Sequence, residues 1–436
     1  MRNPQVIRLL WIALFVEVGL GVLFLLGTRN ISSFFVIFII LGFLGAIGYV
    51  ARTSGMWTGE IDPGQNWGQS SANVSNWTSG GASSMNSRTT GNWNFGNISF
   101  NLGNFPERSE VLNQTVALSE ETNNLNLNVY TGSITITGQE GLKEVQITAT
   151  RRVWARDEMA VRAELDKLQL RQWQEGGTVR IEAGDPAQGF VIGRGSRIDL
   201  ALVVPASLAV TVATGAGEVS CRQYHGEFNG RSTVGGISID GYNSGRNITL
   251  NTTSGKIALQ STAAGNIRVK SGAGSIQLTG IGAEALELES TAGMIRARGV
   301  NCGRYYASAT TGSVDLYDAN ADQGVELKTT AGRVHADNVT TKGLRLEATT
   351  GSIYYRGSAP TAPSEVISGV GSVQLIFPQG AAFNLEARSN VGSVDTLLPV
   401  SAVTFQSRNA FQGQIAGGGA PLRVTSQVGS IRVALG

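Results

Sequence analysis

The sequence predicts an all-β fold: a single-chain β-solenoid of about twelve rungs of roughly nineteen residues, with a small helix-hairpin cap, preceded by two transmembrane α-helices. Three observations predict it. The pattern Gly-x-Ile/Val recurs at Gly217, Gly235, Gly255, Gly274, Gly293, Gly312, Gly332, Gly351, Gly371, Gly392 and Gly413, with Gly429 closing the series, at intervals of 16 to 21 residues. Apolar residues alternate on both sides of each glycine. Two long uncharged or nearly uncharged apolar segments stand at the N terminus.

The repeat reads column by column. Seven and five residues before the glycine stand pairs such as Leu286 and Leu288, or Leu344 and Leu346. Two and four residues after it stand Ile257 and Leu259, Ile276 and Leu278, or Val373 and Leu375. This period of two is the strand pattern, so each repeat is expected to be two short strands meeting at a glycine corner. One such unit cannot bury its apolar face; neighbours must stack and share a core. Glycine provides the positive φ or the close backbone approach that the corner requires. Three residues before the corner the side chain is small, as in Ser271, Ser290, Thr329, Ser368 and Ser389.

The outward columns carry alternating charge. Arg268 and Lys270 stand one repeat before Glu287 and Glu289, which places them side by side as cross-strand pairs on a solvated face. Acidic residues interrupt every basic run and the net charge is +2, which argues against nucleic acid as a partner.

Residues 9–27 are apolar except for Glu17, and residues 34–50 carry no charge. Both are long enough to span a bilayer. They are read as a membrane hairpin within residues 1–52, making the protein multi-pass. Arg2 and Arg8 precede the hairpin and Arg52 follows it, against Arg29 in the connection. That asymmetry favours the solenoid on the cytoplasmic side, and the opposite insertion would suit its polar, cysteine-poor composition equally well. Glu17 is a candidate contact to a membrane partner, since a carboxylate is costly in the bilayer core.

Residues 53–104 are rich in Gly, Ser and Asn with interspersed tryptophans, and are read as a linker. Residues 105–210 lead into and cap the solenoid, and residues 211–436 are its repeats. Within the capping module, Asn124 to Thr137 is one repeat in miniature. Lys143 to Trp154 reads as a strand, Asp157 to Leu168 as a short amphipathic helix, Leu168 to Ala183 as a hairpin turning at Gly176-Gly177, and Arg197 to Pro205 as a strand. The final strand, Ile431 to Gly436, is expected to leave an open edge that invites homo-oligomerisation or docking of a partner.

The repeated Gly-Ser-Ile/Val corners, the helix-hairpin insertion, the stretch "LALVVPASLAVTVATGAGEVS" and the later "VQLIFPQGAAFNLEARSNVGSV" resemble the bacterial putative-adhesin β-solenoid family, also called toast-rack domains, over about Val111 to Gly436. The shared motif is structural and brings no catalytic residues with it. Relatives are often joined to short membrane hairpins of the kind found in envelope-stress sensing systems, and that association implies a sensor or scaffold role.

The residues themselves point away from an enzyme. Only His225, His335, Cys221 and Cys302 are available as imidazoles and thiols, and no catalytic, metal or cofactor constellation is read from them. His335 falls between Asp315 and Tyr354 in an outward column, as a solvated surface histidine. Cys221 points inward and Cys302 falls in a loop. Asp315, Asp337 and Asp395 are spread over two columns. Two function classes remain. One is a membrane-anchored, non-enzymatic scaffold or cell-envelope sensor whose partners are the lipid bilayer and envelope proteins. The other is a surface-exposed adhesin or glycan-binding protein.

Overall fold

The computed structural model describes residues 93–95, 98–100, 107–155, 157–185 and 196–436. The two apolar N-terminal segments, Glu17 and most of the expected linker lie outside the described residues. Among the described residues no helix is long and apolar enough to cross a membrane.

Trp93–Phe95 (β1) and Ile98–Phe100 (β2) pair as a short antiparallel ribbon. All remaining strands join one 27-stranded sheet coiled on itself. It starts with Glu107–Ala117 (β3), Asn124–Thr131 (β4), Ile134–Gln139 (β5) and Glu144–Trp154 (β6). The single helix of the described residues, Glu158–Lys167 (α1), follows; then come Gln169–Glu175 (β7), Thr178–Gly184 (β8) and Arg197–Pro205 (β9). From β4 onward these agree with the elements that turn chemistry and alternation predict; β3 is not among them. The Asp157 carboxylate caps α1 by accepting from the Ala160 N–H at 2.8 Å, as an N-cap aspartate should. At the other end Arg151 donates to the carbonyl of Leu165, which also accepts from the Leu168 N–H, and to that of Leu168, adding partners where the helix ladder runs out.

The regular rungs begin with Ala209–Ala216 (β10), Val219–Arg222 (β11), Phe228–Val234 (β12), Ile237–Asp240 (β13) and Ile248–Ser254 (β14). Ile257–Ala273 (β15), Ile276–Ala292 (β16), Ile295–Thr311 (β17) and Val314–Ala331 (β18) are continuous strands of 17 or 18 residues. Val334–Thr341 (β19), Leu344–Thr350 (β20), Ile353–Gly357 (β21), Ser364–Val370 (β22) and Val373–Phe377 (β23) come next. Each rung pairs in parallel with the one before, for example Leu259 with Leu278 and Leu278 with Ala297.

The rungs have three sides, where two short strands per repeat were expected. A second bend lies six residues after each corner glycine from Gly217 to Gly332, at Gln223, Gly241, Ser261, Gly280, Gly299, Asp318 and Asn338, all with φ between 47° and 69°. Small, turn-forming residues dominate that column because only they enter the left-handed region cheaply. Beyond the bend the long strands continue along a third side, where Ile281, Val300, Ala319 and Val339 point inward. Cys302 lies on this side within β17, buried, and not in a loop.

The two ends are not built in sequence order. At the N-terminal end β4 and β5 lie between β8–β9 on one side and β10–β11 on the other. Phe383–Val391 (β24), Val394–Leu397 (β25), Val400–Gln406 (β26) and Ala410–Ile415 (β27) precede Pro421–Val428 (β28) and Ile431–Leu435 (β29). Here the chain passes on to form the outermost rung, β24–β25, then returns to insert β28–β29 beneath it. Val433 accordingly pairs with Leu375 on one side and Thr396 on the other. The open edge expected at Ile431–Gly436 is therefore an interior strand pair. Gly413 is no corner either: it sits in β27, which pairs antiparallel with β24 and β26.

One apolar cluster runs unbroken from Leu125 to Val433. Its largest members are aromatic. Tyr224, Phe228 and Tyr242 fill the early rungs, and Tyr355, Phe377 and Phe383 the late ones. Buried tyrosines need a partner for the hydroxyl: Tyr242 donates to the Gly226 carbonyl at 2.7 Å and Tyr355 to the Ser358 carbonyl at 2.9 Å.

Candidate functional site

The corner ridge fixes where every outward side chain stands. Gly132, Gly217, Gly235, Gly255, Gly274, Gly293, Gly312, Gly332, Gly351, Gly371, Gly429 and Gly392 stack in that order, with φ from 135° to 154°. A Cβ at any of them would lie 1.6 to 2.3 Å from a backbone oxygen of the adjacent rung, closer than atoms can approach. The small residue three positions earlier has a role the sequence pattern showed without explaining. Thr214, Ser232, Thr252, Ser290, Thr329 and Ser389 donate their hydroxyls to the corner-glycine carbonyl of the adjacent rung, at 2.7 to 3.4 Å. These six hydroxyls are thereby satisfied, whereas the buried Ser426 hydroxyl of the same column has no partner.

On the face before the corner, one outward column runs Arg268, Glu287, Tyr306, Glu326, Arg345, Glu365, Arg423, Glu386 through successive rungs. Arg268 meets Glu287 at 2.6 Å and Lys270 meets Glu289 at 2.8 Å, the pairing that the repeat spacing predicts. Arg345 bridges Glu326 and Glu365 at 3.6 Å each, and Arg423 meets Glu386 at 3.3 Å. Lys328 pairs with Glu326 at 2.6 Å and stands 5.9 Å from the centre of the Tyr306 ring. The hydrogen bond from Lys270 holds the Glu289 carboxyl below its ordinary pKa, and the bond to Glu326 raises that of Lys328. These side chains are 31% to 60% exposed, so each pair contributes a fraction of a kcal/mol.

Two grooves follow this column and share Leu344, Arg345 and Pro363. One, of about 660 Å³, runs past Arg268, Glu287 and Tyr306. The other, of about 650 Å³, lies between the column and the β26–β27 hairpin, and is lined by Asn384, Thr404, Gln412 and Gln414 with Glu365, Glu386 and Arg423.

The face after the corner holds a denser cluster. Asp315 is fully buried although it belongs to an outward column, because Arg296 and Arg333 close over it at 3.4 and 3.2 Å. His335 does stand between Asp315 and Tyr354, but it is half-buried rather than freely solvated. Its ring stacks on Tyr354 with centroids 4.6 Å apart and lies 5.3 Å from Tyr317. Arg298 covers Tyr317 at 5.1 Å, and Arg356 pairs with Asp337. Burial, reinforced by Arg333, lowers the His335 pKa. His335 thus lies between the rings of Tyr317 and Tyr354, and Arg298 lies over Tyr317.

The remaining candidate chemistry is dispersed. Asp315 and Asp395 share one column and Asp337 belongs to the next. Burial pushes the thiols of Cys221 and Cys302 up to about 12, which withholds the thiolate. His225 bonds the Asn243 carbonyl at 2.7 Å through Nδ1, and its Nε2 lies 3.5 Å from Glu140. Among the described residues no group of three or more His, Cys, Asp or Glu could hold a metal ion.

The family model Toastrack DUF4097 matches residues 123–315 and 293–434; the chain belongs to this family. No curated protein matches it. Similar solved structures include a putative adhesin from Bacteroides fragilis, 13% identical, covering 74% of this chain and 97% of its own, with a TM-score of 0.30. A putative adhesin from Parabacteroides distasonis is 11% identical over 74% of this chain and 97% of its own, with a TM-score of 0.33. A putative cell adhesion protein from Clostridium sporogenes is 12% identical over 76% of this chain and all of its own, with a TM-score of 0.19.

Proposed function

We propose that the protein is a membrane-anchored, non-enzymatic β-solenoid that serves as a protein-binding scaffold or sensor of the cell envelope. The observation that carries this reading is the face before the corner. One rigid, single-core rod displays a continuous column of mutually paired charges beside two shallow grooves. Paired charges of alternating sign give a partner register and specificity with little net field, which suits a protein surface better than a polyanion. The anchor is the hairpin of residues 9–27 and 34–50, with Glu17 as its contact to a membrane partner and the solenoid on the cytoplasmic side. Placing a photo-crosslinking residue at Tyr306 in cells tests the scaffold role. Discrete adducts with envelope proteins, lost when Arg345 and Arg423 are changed to Glu, are expected; no adduct above that of an N-terminal control position contradicts it. Labelling Ser83→Cys with an impermeant maleimide tests the side: reaction only after lysis agrees with the cytoplasm.

The second reading, an adhesin or glycan-binding protein, has its own support in the groove beside β26–β27. Asn384, Thr404, Gln412 and Gln414 line it with amides and a hydroxyl between Arg423 and Glu386, groups that match the donors and acceptors of sugar hydroxyls. Glycan binding weakened by Gln412→Ala and Gln414→Ala, together with maleimide labelling of intact cells, would favour it.

A further inference from the structure

At the C-terminal end of the solenoid β26 is a free edge. It pairs with β27 only, while β24 is covered by β27 and β28, and β29 lies inside the stack. Its sequence, Val400-Ser-Ala-Val-Thr-Phe-Gln406, contains no charge, although charged side chains are the usual protection of an exposed edge. Two irregularities in its pairing with β27, around Ser401 and Thr404, are the one blunting device present. They still leave Val403 and Phe405 more than half exposed.

The exposed apolar side chains are concentrated at this end of the solenoid. Of ten large apolar residues exposed among the described residues, six belong to the last three rungs and the hairpin: Val370, Val428, Val391, Leu397, Val403 and Phe405. The three valines are register neighbours on the corner ridge. Leu397 closes β25, immediately before β26. On β26 itself the exposed pair is Val403 and Phe405, and exposed apolar side chains on an unpaired strand mark an interaction site.

We propose that this surface binds a second copy of the chain, end to end, through antiparallel pairing of β26 with β26. Charge selects this occupant. In a twofold arrangement a strand opposes its own sequence, so any charge near its centre would meet its like; β26 has none. About the central residue, Val403 faces Val403 and Phe405 faces Ser401 of the other copy. Backbone groups along the edge gain partners, and Val403 and Phe405 leave water. A single rung end is small beside the roughly 800 Å² per partner of a stable specific interface, so the dimer forms reversibly with concentration. The inference is independent of the scaffold reading and of the side of the membrane.

The test uses the full-length protein in detergent. Sedimentation should show a mass that rises with concentration, and the double variant Val403→Lys, Phe405→Lys should hold it at one chain with an unchanged circular dichroism spectrum. Mild oxidation of Val403→Cys should give a disulfide-linked dimer several-fold above that of Glu121→Cys in the N-terminal cap; the native thiols are buried. If the lysine variant does not fold, the cysteine comparison decides alone. A single-chain mass at every concentration, an association unaffected by the lysines, or equal crosslinking at both positions overturns the proposal. So does a single-chain protein that instead floats with phospholipid vesicles through Val403 and Phe405.

Discussion

At the N-terminal end of the rod the outermost rung, β8 and β9, is covered on both strands. β7 pairs with β8, while β6 and then β3 continue from β9, and α1 lies on β6. At the C-terminal end β24 is extended by β27 and β26 in the same way, but β25 receives beyond its corner a single backbone bond, from Val394 N–H to the Arg408 carbonyl. The edge strands differ more. β3 carries Glu107, Arg108 and Glu110, and β7 carries Arg171 and Glu175, whereas β26 carries no charge. Both ends thus lock their outer rung by letting the chain run past and return, and only one protects the resulting edge. Interior construction and surface protection are separate problems, and this chain solves the first twice and the second once.

If the interiors of the two ends are equivalent, corner substitutions must be equally damaging at both. Gly217→Val near one end and Gly392→Val at the other should each cost more than about 3 kcal/mol, from strained φ together with overlap on a neighbouring carbonyl. Gly293→Val should do the same in the middle, while Thr291→Val, on an exposed position, should change stability by less than about 0.5 kcal/mol. Urea unfolding measures all four; tolerance of valine at one end alone would break the equivalence.

Phe383→Ala sharpens the comparison at the C-terminal end. This fully buried ring lies 4.8 Å from Phe377, and its truncation should cost about 3–5 kcal/mol. A loss under about 1 kcal/mol would mean that the outer rung is not locked. Arg151→Ala acts at the other end, removing the 2.7 Å pair with Glu110 and the bonds to the helix carbonyls. The expected loss is about 1–2 kcal/mol, with faster proteolysis confined to α1 and β7.

The smallest effect belongs to neither end. The pKa of His335 is lower in the folded protein than the ordinary 6.5, so the folded state binds fewer protons than the unfolded chain between those two values. Its stabilising effect is complete above about pH 6.5 and is lost as the pH falls toward the lower folded value. Melting curves of wild type and His335→Gln should therefore diverge less below that window than above it; parallel curves across it would contradict the burial of this ring.

The strands β6 and β9, the helix with its Asp157 cap, and the hairpin at Gly176-Gly177 were legible because local chemistry decides each of them, whereas the edge strand β3 was not read. The charge ladder of Arg268 and Glu287 was legible because repeat spacing places residues side by side. The third side was less so: its bend is carried by Gln223, Ser261, Asp318 and Asn338 as well as glycines, a column recognisable only once φ is known. The order of the last rungs was not legible at all. β28–β29 shows the same apolar columns as any other rung, so nothing in its own residues says that it stacks beneath β24–β25; the interval of 16 residues into Gly429 was the sole trace. Gly413 entered the series because a glycine before alternating residues fits an antiparallel strand as well as a corner.

Hydrogen exchange along the C-terminal segments tests the central claim, that the returning chain is buried within the stack. The amides of Ile431 and Val433 should exchange as slowly as those of Ile276 and Leu278 in the middle of the rod, and those of β26 much faster. Exchange at Ile431 and Val433 as fast as in β26 would contradict it.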